Sequence, residues 1–564
     1  YPTLTADVNA KSVAIENGAT VDLSTFLIKT VSSKFSKISN DGLLKLEGTN
    51  NQKTWFEDSN QENKIVLQEG CTVSYYSSSN APIYAGPYKN LNLSRSVSAS
   101  SLTVENITKI AQAISITADN QLYKGKVNSE EAVSFATTNE NETINFDDEV
   151  LAKNTSTNSF KDVSITKGVA VAKNKIIANK LEVIGKSFVA EKDIELEDNF
   201  EGKSKKIETK GLVKAKNINI TSSCDEWNSN DLTITDDIAQ DGKKWNCNGV
   251  LQVKNINVGN NCTDWNSTNN ITAEENIAVD DNTSWKVNSG DISIKGDLTA
   301  SKLEQSSGNV IANGNGVQNI KAKTINKIEI KTTSNANFLS IHPTTQKINK
   351  LTNRGMFAIP NAVNLTIEEI ENLASANLTS HSEIILKKTI LNSGILDVQA
   401  LKLEPSGNTI TIEGNNAPNN TKFTNLSFEN ANEKILEIKN NIAVAGLLKL
   451  YGVDETHVLT VKGIGKIHLS SDGDGKFLHV HTNIPIGGVA KCITKKSKPI
   501  GTDSEINAGK PENWIFDDPI MLQKWEGIDN SWVNRENWRP KGLPYEETET
   551  IIPSGKANYP LLTS

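Results

Sequence analysis

The sequence predicts an all-β fold: a parallel β-solenoid with coils of about 20 residues, followed by a short Trp- and Pro-rich β module at the C-terminus. Three observations carry this prediction. Short apolar–polar–apolar triplets recur along the chain, separated by Asn, Asp, Gly, Lys or Ser. Tryptophan returns at a regular interval in the middle of the chain, and helix signals are nearly absent. Alternation places both apolar side chains of a triplet on one sheet face, and the polar clusters mark turns.

The regular interval is the clearest repeat signal. Trp227, Trp245, Trp265 and Trp285 follow one another after 18, 20 and 20 residues. Each opens a similar phrase, in which an apolar pair, a polar gap and a second apolar position follow the indole: WNSNDLTITDDIA, WNCNGVLQVKNINV, WNSTNNITAEENIAV and WKVNSGDISIKGDLTA. Such a period is typical of stacked coils, because one coil alone cannot bury its own apolar face.

The residue pattern along the chain suggests three parts: an N-terminal solenoid segment (1–95), a main solenoid (96–510) and a Trp-rich junction module (511–564). The last part differs from the rest because Trp and Pro become frequent from Trp514 onward. One stretch inside the main solenoid, 367–376 (IEEIENLASA), has apolar residues at a spacing that also fits a helix.

Composition excludes several classes of function. The net charge of −8 is spread along the 564 residues without a basic tract, which argues against a nucleic-acid partner. No apolar run approaches the roughly 18 residues that a membrane-spanning helix needs. Arginine, the usual bidentate clamp for carboxylates and phosphates, occurs only four times, which disfavours an enzyme acting on anionic substrates.

The cysteines and the acidic and histidine motifs do not predict a metal or a cofactor. The five cysteines show no CxxC pairing. Within the cluster of Cys224, Cys247 and Cys262, coil spacing allows at most one disulfide, Cys247 with either Cys224 or Cys262. We interpret Glu191/Asp193/Glu195/Glu197 as a solvated strand face. Asp472-Gly473-Asp474-Gly475 is interpreted as a Gly-rich hairpin turn, and His479/His481 as solvated histidines. GxSxG, P-loop and HExxH motifs are absent, so no catalytic residues are predicted.

The four tryptophans are the candidate ligand-binding residues. On an outer face, Trp227, Trp245, Trp265 and Trp285 would offer carbohydrate a stacking platform. The alternative is that they stack on one another at a corner and shield the core. Polar neighbours such as Asp225-Glu226 suggest polar corners, which leaves both interpretations open.

The C-terminal stretch carries a resemblance. It contains W-x-G, a further W, NW, a Pro, a short apolar strand and YP with leucine, at Trp525/Gly527, Trp532, Asn537-Trp538, Pro544, Ile551-Ile552-Pro553 and Tyr559-Pro560-Leu561-Leu562. This pattern resembles a segment of large repetitive bacterial surface proteins, in which a GATV-like strand normally follows; here Gly18-Ala19-Thr20-Val21 supplies one near the start. The middle of the chain is similar to filamentous-haemagglutinin-like and autotransporter-passenger-like β-helices. The resemblance implies a surface location and a right-handed β-helix, but no single activity.

These observations together predict a non-enzymatic, extracellular structural or adhesive segment of the bacterial cell surface, self-assembling into a filament or layer. The expected partners are copies of itself or neighbouring repeats, and surface glycans. The rival class is a carbohydrate-active β-helix enzyme, a polysaccharide lyase or glycosidase, or a glycan-binding module. A groove lined by carboxylates and aromatic rings on consecutive coils would favour that rival. We further expect the chain to be an excerpt of a tandem array of repeated modules. The alternative is a subunit whose ends meet head to tail in a filament.

Overall fold

The structure is a computed structural model. It describes residues 87–331, 334–341, 344–361, 363–454, 457–470 and 473–480 continuously. Shorter described pieces lie in the flanks, at 5–6, 8–9, 13–23, 26, 28–29, 38–40, 42–46, 65–67, 70–76, 83, 490–493, 514–517, 522–539, 544 and 549–561. The prediction of an all-β parallel solenoid with coils about 20 residues apart is confirmed. No helix in this described part has the length and apolar character needed to cross a membrane.

Two compact units divide the chain, residues 1–290 and 291–564. The first contains the strands Val8–Asn9, Val13–Ile15, Thr20–Asp22, Ile28–Lys29, Ile38–Asn40, Leu43–Leu46, Ile65–Leu67, Thr72–Tyr75, Asn90–Leu93, Val97–Val104, Thr108–Ile110, Ile114–Tyr123, Val127–Ser129, Val133–Ala136, Thr143–Phe146, Val150–Asn154, Ser159–Phe160, Val163–Ile165, Val169–Ala172, Ile176–Ala178, Leu181–Val183, Ser187–Ala190, Ile194–Leu196, Asn199–Gly202, Lys206–Thr209, Val213–Ala215, Asn217–Ile220, Glu226–Ser229, Leu232–Ile234, Asp237–Gln240, Lys244–Cys247, Leu251–Val253, Asn255–Val258, Asp264–Ser267, Ile271–Ala273, Ile277–Val279 and Ser284–Val287. The boundaries proposed at 95/96 and 510/511 stay predictions.

The first unit builds each coil from three short strands. From Val163 onward, a strand pairs in parallel with the strand three places later, as Val169–Ala172 does with Ser187–Ala190. Alternate residues point into the bore: in Leu181–Val183 the two ends are buried and Glu182 between them is half-buried. The short alternating triplets therefore fill three parallel sheets around one apolar core.

The second unit uses longer strands that run through corners. Its strands are Ile292–Ile294, Leu298–Gln305, Asn309–Ala312, Val317–Ile330, Asn335–Phe338, Gln346–Asn353, Met356–Ile359, Leu365–Asn372, Asn377–Asn392, Ile395–Leu403, Thr409–Glu413, Thr421–Ala431, Lys434–Ile438, Ile442–Val444, Leu448–Gly452, Leu459–Lys462, Ile467–Leu469, Gly473–Lys476, Leu478–Val480, Ala490–Ile493, Trp514–Asp517, Leu522–Trp525, Trp538–Arg539 and Glu549–Ile551, with 3-10 turns at Pro418–Asn420 and Arg535–Asn537.

The helical interpretation of 367–376 is wrong, because residues Leu365–Asn372 form a strand. This strand pairs in parallel with Gln346–Asn353 on one side and with part of Asn377–Asn392 on the other. Its buried residues come at intervals of two, three and two, since Glu368 and Glu369 both face outward at a corner. The interval of three at the corner imitates a helical period in the sequence.

The Trp-rich C-terminal segment forms a separate three-stranded sheet. Leu522–Trp525 is its central strand, antiparallel to Trp538–Arg539 and parallel to Glu549–Ile551. Trp525 and Trp538 are fully buried against each other, with ring centroids 4.9 Å apart. Their indole N–H groups donate to the carbonyls of Asn558 and Trp532. The W-x-G and NW residues of the motif thus make a small aromatic core.

Candidate functional site

The four repeated tryptophans lie inside the first unit. Trp227, Trp245, Trp265 and Trp285 are each 0% exposed. Their rings stack nearly parallel, with successive centroids 4.9, 4.6 and 4.0 Å apart. The parallel register pairs each tryptophan directly with the next, so the stack is a consequence of coil length.

Room for these large rings comes from the neighbouring column of inward-facing residues. Two positions after each tryptophan, the bore holds a small side chain: Ser229, Cys247, Ser267 and Val287. The tryptophans therefore occupy inward strand positions and not the polar corners that their flanking residues suggested. Because a covered ring offers no face to a ligand, the carbohydrate platform does not fit this packing, whereas stacking that shields the core does.

The cysteines of this region are free thiols. Cys224, Cys247 and Cys262 are fully buried and form no disulfide. Burial raises the pKa of the Cys224 and Cys262 thiols to about 12 and that of Cys247 to about 11. Such thiols stay protonated at neutral pH and do not act as nucleophiles or metal ligands. The side chain of Cys492 lies outside the described residues.

The acidic strand is engaged in contacts between coils. Glu195 lies 2.7 Å from Lys175, Glu191 lies 2.8 Å from Lys210, and Asp193 accepts the backbone N–H of Leu212. Among the described residues, no group of three His, Cys, Asp or Glu side chains is placed to hold a metal ion.

The interpretation of 472–475 as a hairpin turn is wrong, since Gly473–Lys476 is a strand. An added Cβ at Gly475 would lie 2.5 Å from Cδ1 of Leu478, so glycine fits there because a core leucine comes close. Asp472 and His481, and the side chains of Asp474 and His479, lie outside the described residues.

An insertion interrupts the regular coils of the first unit in the continuously described stretch 87–290. Val169 pairs with Ser187, 18 residues later, whereas Thr143 pairs with Val169, 26 residues later. The extra length forms an antiparallel hairpin in which Lys153 pairs with Phe160. Insertions in repeat proteins project from one face, which is often the binding face.

A groove of about 420 Å³ lies beside this hairpin, and it is our candidate functional site. Its floor is a row of outward residues on successive coils, Ser74, Asn92, Lys109, Asn128 and Leu151, paired in register. Its other lining residues include Ser94, Ala111, Glu130, Lys153 and Thr155. An ion pair of 3.3 Å between Lys161 and Glu131, and a hydrogen bond from Asn154 to Glu131, hold the base of the hairpin.

The floor differs from the outward row of Asn228, Asn246 and Asn266 because its amides are not paired with each other. On another face of the same unit, Asn246 donates to Asn228 at 2.7 Å, and Asn266 donates to Asn246 at 3.0 Å. In the groove, Lys109 separates Asn92 from Asn128, which puts the two amides two coils, about 9–10 Å, apart. These amides thus keep their donors and acceptors for an external partner.

The charge of the groove is mixed, with an excess of lysine. Lys109 and Lys153 line the groove, and Glu130 is the one carboxylate among its lining residues. The Lys153 ammonium also lies 4.9 Å from the centroid of the Phe160 ring, which keeps that ring from being a free stacking face. Amides, hydroxyls and lysines together suit a polar, hydroxyl-bearing ligand.

Sequence reasoning missed this groove. The usable signal was the longer interval between 143 and 169, together with the polar run NTSTNS at 154–159, which marks a turn. Counting coil lengths through the apolar triplets would have located the hairpin, but the unpaired amides depend on the register between coils.

Comparisons with protein-family models, with curated proteins and with solved structures found no match for this chain.

Proposed function

We propose that this chain is a non-enzymatic, extracellular segment of a bacterial cell-surface protein, with a structural and adhesive role. One observation carries the proposal: ion pairs join neighbouring coils on the outer faces, whereas in the groove beside the hairpin the amides of Asn92 and Asn128 have no partner among the described residues. A surface of internally paired charges suits a stiff body, and an unpaired polar groove suits a partner.

The structural half of the proposal is supported by ion pairs between outward side chains on neighbouring coils. Lys203 lies 2.6 Å from Glu182 in the first unit, and Lys388 lies 2.7 Å from Glu368 in the second. Partners 20 or so residues apart in sequence join neighbouring coils, so these pairs fix one coil on the next. Each exposed pair contributes at most about 1 kcal/mol, so they secure register more than they stabilise the fold.

The adhesive half is supported by the groove, for which we propose surface glycans as ligands. Glycan hydroxyls both donate and accept hydrogen bonds, as do the free amides of Asn92 and Asn128. Lys109 between them adds donors and a positive charge.

Polysaccharide binding tests this half. We expect the protein to bind immobilised surface polysaccharides, and the triple change N92A/K109A/N128A to weaken binding at least tenfold. The change N246A, which removes a member of the paired amide row on another face, is the matched control and should bind like the parent. Equal binding by the parent and the triple variant would refute the groove as the site.

A second candidate function, carbohydrate cleavage, has one observation in its favour. A pocket of about 370 Å³ in the second unit is lined by Glu371, Leu391 and Glu413, which are paired in register on successive coils. Two carboxylates flanking a cleft are what glycoside hydrolysis uses. However, Glu371 is held by Lys350 at 3.3 Å and by the Thr352 hydroxyl, and no aromatic ring lines the pocket among the described residues.

Reducing-end release from a polysaccharide panel, measured with and without calcium, separates the two functions. The proposed role predicts no release by the parent protein. Release that is lost in Glu413→Gln but retained in N92A/K109A/N128A would assign the chain to the enzyme class instead.

A further inference from the structure

The second unit carries a row of exposed apolar side chains at an unusual interval. Val317 is 58% exposed, Met356 is 52% exposed and Ile395 is 49% exposed. Side chains of this type normally face the bore of a solenoid, as Phe357 and Leu396, the residues that follow Met356 and Ile395, do. Large exposed apolar groups in a regular arrangement mark an interaction surface.

The three residues belong to one outward row with two asparagines between them. The parallel register pairs Val317 with Asn335, Asn335 with Met356, Met356 with Asn377, and Asn377 with Ile395. Apolar residues therefore recur at every second coil, about 9–10 Å apart, with one asparagine in each gap.

The row reads the same in both directions about its centre. Met356 is in the middle, an asparagine lies one coil away on each side, and a β-branched aliphatic residue lies two coils away on each side. A two-fold axis that crosses the row at Met356 would place Met356 on its own copy, Val317 on Ile395 of the other copy, and Asn335 on Asn377 of the other copy. Like would thus meet like at every position, as an isologous contact requires.

The asparagines add a polar requirement that such a contact meets. The side-chain oxygen of Asn377 is covered and has no hydrogen-bond partner. The side-chain amide of Asn335 has no hydrogen bond among the described residues. The Asn377 side chain must turn outward for its oxygen to meet that amide across the axis, and the lack of a partner inside the chain favours this turn. Amide-to-amide pairing would satisfy a group that is costly to leave unpaired.

We infer that this row is the surface through which two copies of the chain associate, antiparallel and about a two-fold axis at Met356. The inference rests on the proposed structural role, and it names the surface that self-association would use. A row of five residues is smaller than a standard interface of about 1,600 Å². The association is therefore weak in dilute solution and becomes effective when many copies are held close together, as on a cell surface.

Site-specific cross-linking tests the axis. Facing sheets lie about 10 Å apart, beyond the reach of a disulfide, so a short bis-maleimide is the suitable reagent. All variants carry Cys492→Ser, and that parent is the control, since Cys71, Cys224, Cys247 and Cys262 are buried. Met356→Cys should cross-link to itself, whereas Val317→Cys and Ile395→Cys should cross-link only when the two are mixed.

The matched pair makes the outcome decisive. Val317→Cys that cross-links to itself as well as it does to Ile395→Cys would overturn the axis, and Met356→Cys that gives no dimer above the parent background would overturn the surface. In sedimentation at high concentration, Met356→Lys should abolish the dimer while polysaccharide binding by the groove stays unchanged. If the glycan experiment fails but the cross-links form as expected, the adhesive role is lost and this contact stands.

Discussion

Each unit contains a buried column of one repeated side chain, which we call a ladder. Stacked rings form the ladder of the first unit, and hydrogen-bonded amides form that of the second. In the first unit, four tryptophans stack at 4.0 to 4.9 Å. In the second, Asn353 donates to Asn372 at 2.8 Å, and Asn372 donates to Asn392 at 2.7 Å. Both ladders repeat one side chain in register on successive coils, and both are almost completely buried.

The ladders differ in how completely their polar groups are satisfied. Each asparagine also donates to a backbone carbonyl, and the last one reaches the Thr421 hydroxyl, so the amide chain is closed at its end. In the tryptophan ladder, Trp245 and Trp285 donate to serines, while the indole N–H groups of Trp227 and Trp265 are buried without a partner. Stacking tolerates an unpaired polar group because apolar burial dominates, whereas a hydrogen-bonded ladder does not.

The largest expected effect is the loss of a central tryptophan. Trp245→Ala removes a ring stacked on both faces and should lower the free energy of unfolding by about 3–5 kcal/mol, since the rigid coils cannot close the cavity. Trp245→Phe, which keeps part of the volume, should cost less. Urea unfolding followed by circular dichroism measures both, and a loss below about 1 kcal/mol for the alanine variant would contradict the rigid-bore explanation.

Removing the central asparagine comes next. Asn372→Ala leaves one N–H of the Asn353 amide buried without an acceptor, and it removes the side-chain donor to the Asn392 oxygen and to the Ile395 carbonyl. The Asn392 oxygen keeps only the backbone N–H of Gly394, and we expect a loss of about 2–4 kcal/mol. Amide hydrogen exchange over residues 353–395 should accelerate. The control is Asn246→Ala in the half-buried outward row, where water replaces the lost partners and the change should stay within about 0.5 kcal/mol. Similar losses in both rows would mean that burial does not distinguish them.

A smaller effect concerns the acceptor column beside the tryptophans. Ser229 and Ser267 accept the indole N–H of the next tryptophan, but Cys247 occupies the equivalent position before Trp265. Cys247→Ser should therefore stabilise the protein by about 0.5–1 kcal/mol, and Ser267→Ala should destabilise it by about 1 kcal/mol or more. Thr209 lies at the equivalent position one coil before Trp227, but its hydroxyl does not accept the indole N–H of Trp227. A Cys247→Ser variant with unchanged stability would therefore show that geometry also prevents a hydrogen bond from Trp265 to residue 247.

The smallest effect is a pH dependence of the outer faces. Hydrogen bonds from Lys388 and Lys347 hold the pKa of Glu368 below its usual 4.5, and a bond from Lys243 does the same for the pKa of Asp225. A carboxyl group whose pKa is lowered by folding stabilises the native state above its unfolded pKa, and this contribution is lost as the pH falls through the native pKa. The side chain of Glu368 is 20% exposed and that of Asp225 is 51% exposed.

Glu368→Gln should therefore flatten the dependence of stability on pH below about 4.5 more than Asp225→Asn does. Solvent screening keeps the Glu368 contribution under about 1 kcal/mol. Thermal unfolding at pH 3 and pH 7 measures both variants. An equal response would indicate that solvent exposure does not set how much each ion pair contributes to stability.

The solenoid was predictable because its signals are local. The triplets at 181–183 and 194–196 alternate within three residues, and the Trp227 to Trp285 interval repeats within one coil length. The groove was not predictable from such signals, since its floor joins Ser74 to Leu151 across five coils. The helix expected near Ile367 was wrong because a strand that turns a corner changes its apolar interval from two to three.

By itself, the sequence determined that this chain is β, that it repeats, and that its coils are about 20 residues long, because alternation and period are properties of the order of residues. Only the tertiary structure decided which way the tryptophans face, since flanking polar residues fit a corner and a buried strand equally well. It also decided which outward side chains meet. Whether an asparagine pairs with another, as at Asn246, or stays free, as at Asn92, depends on which residue the next coil brings opposite it.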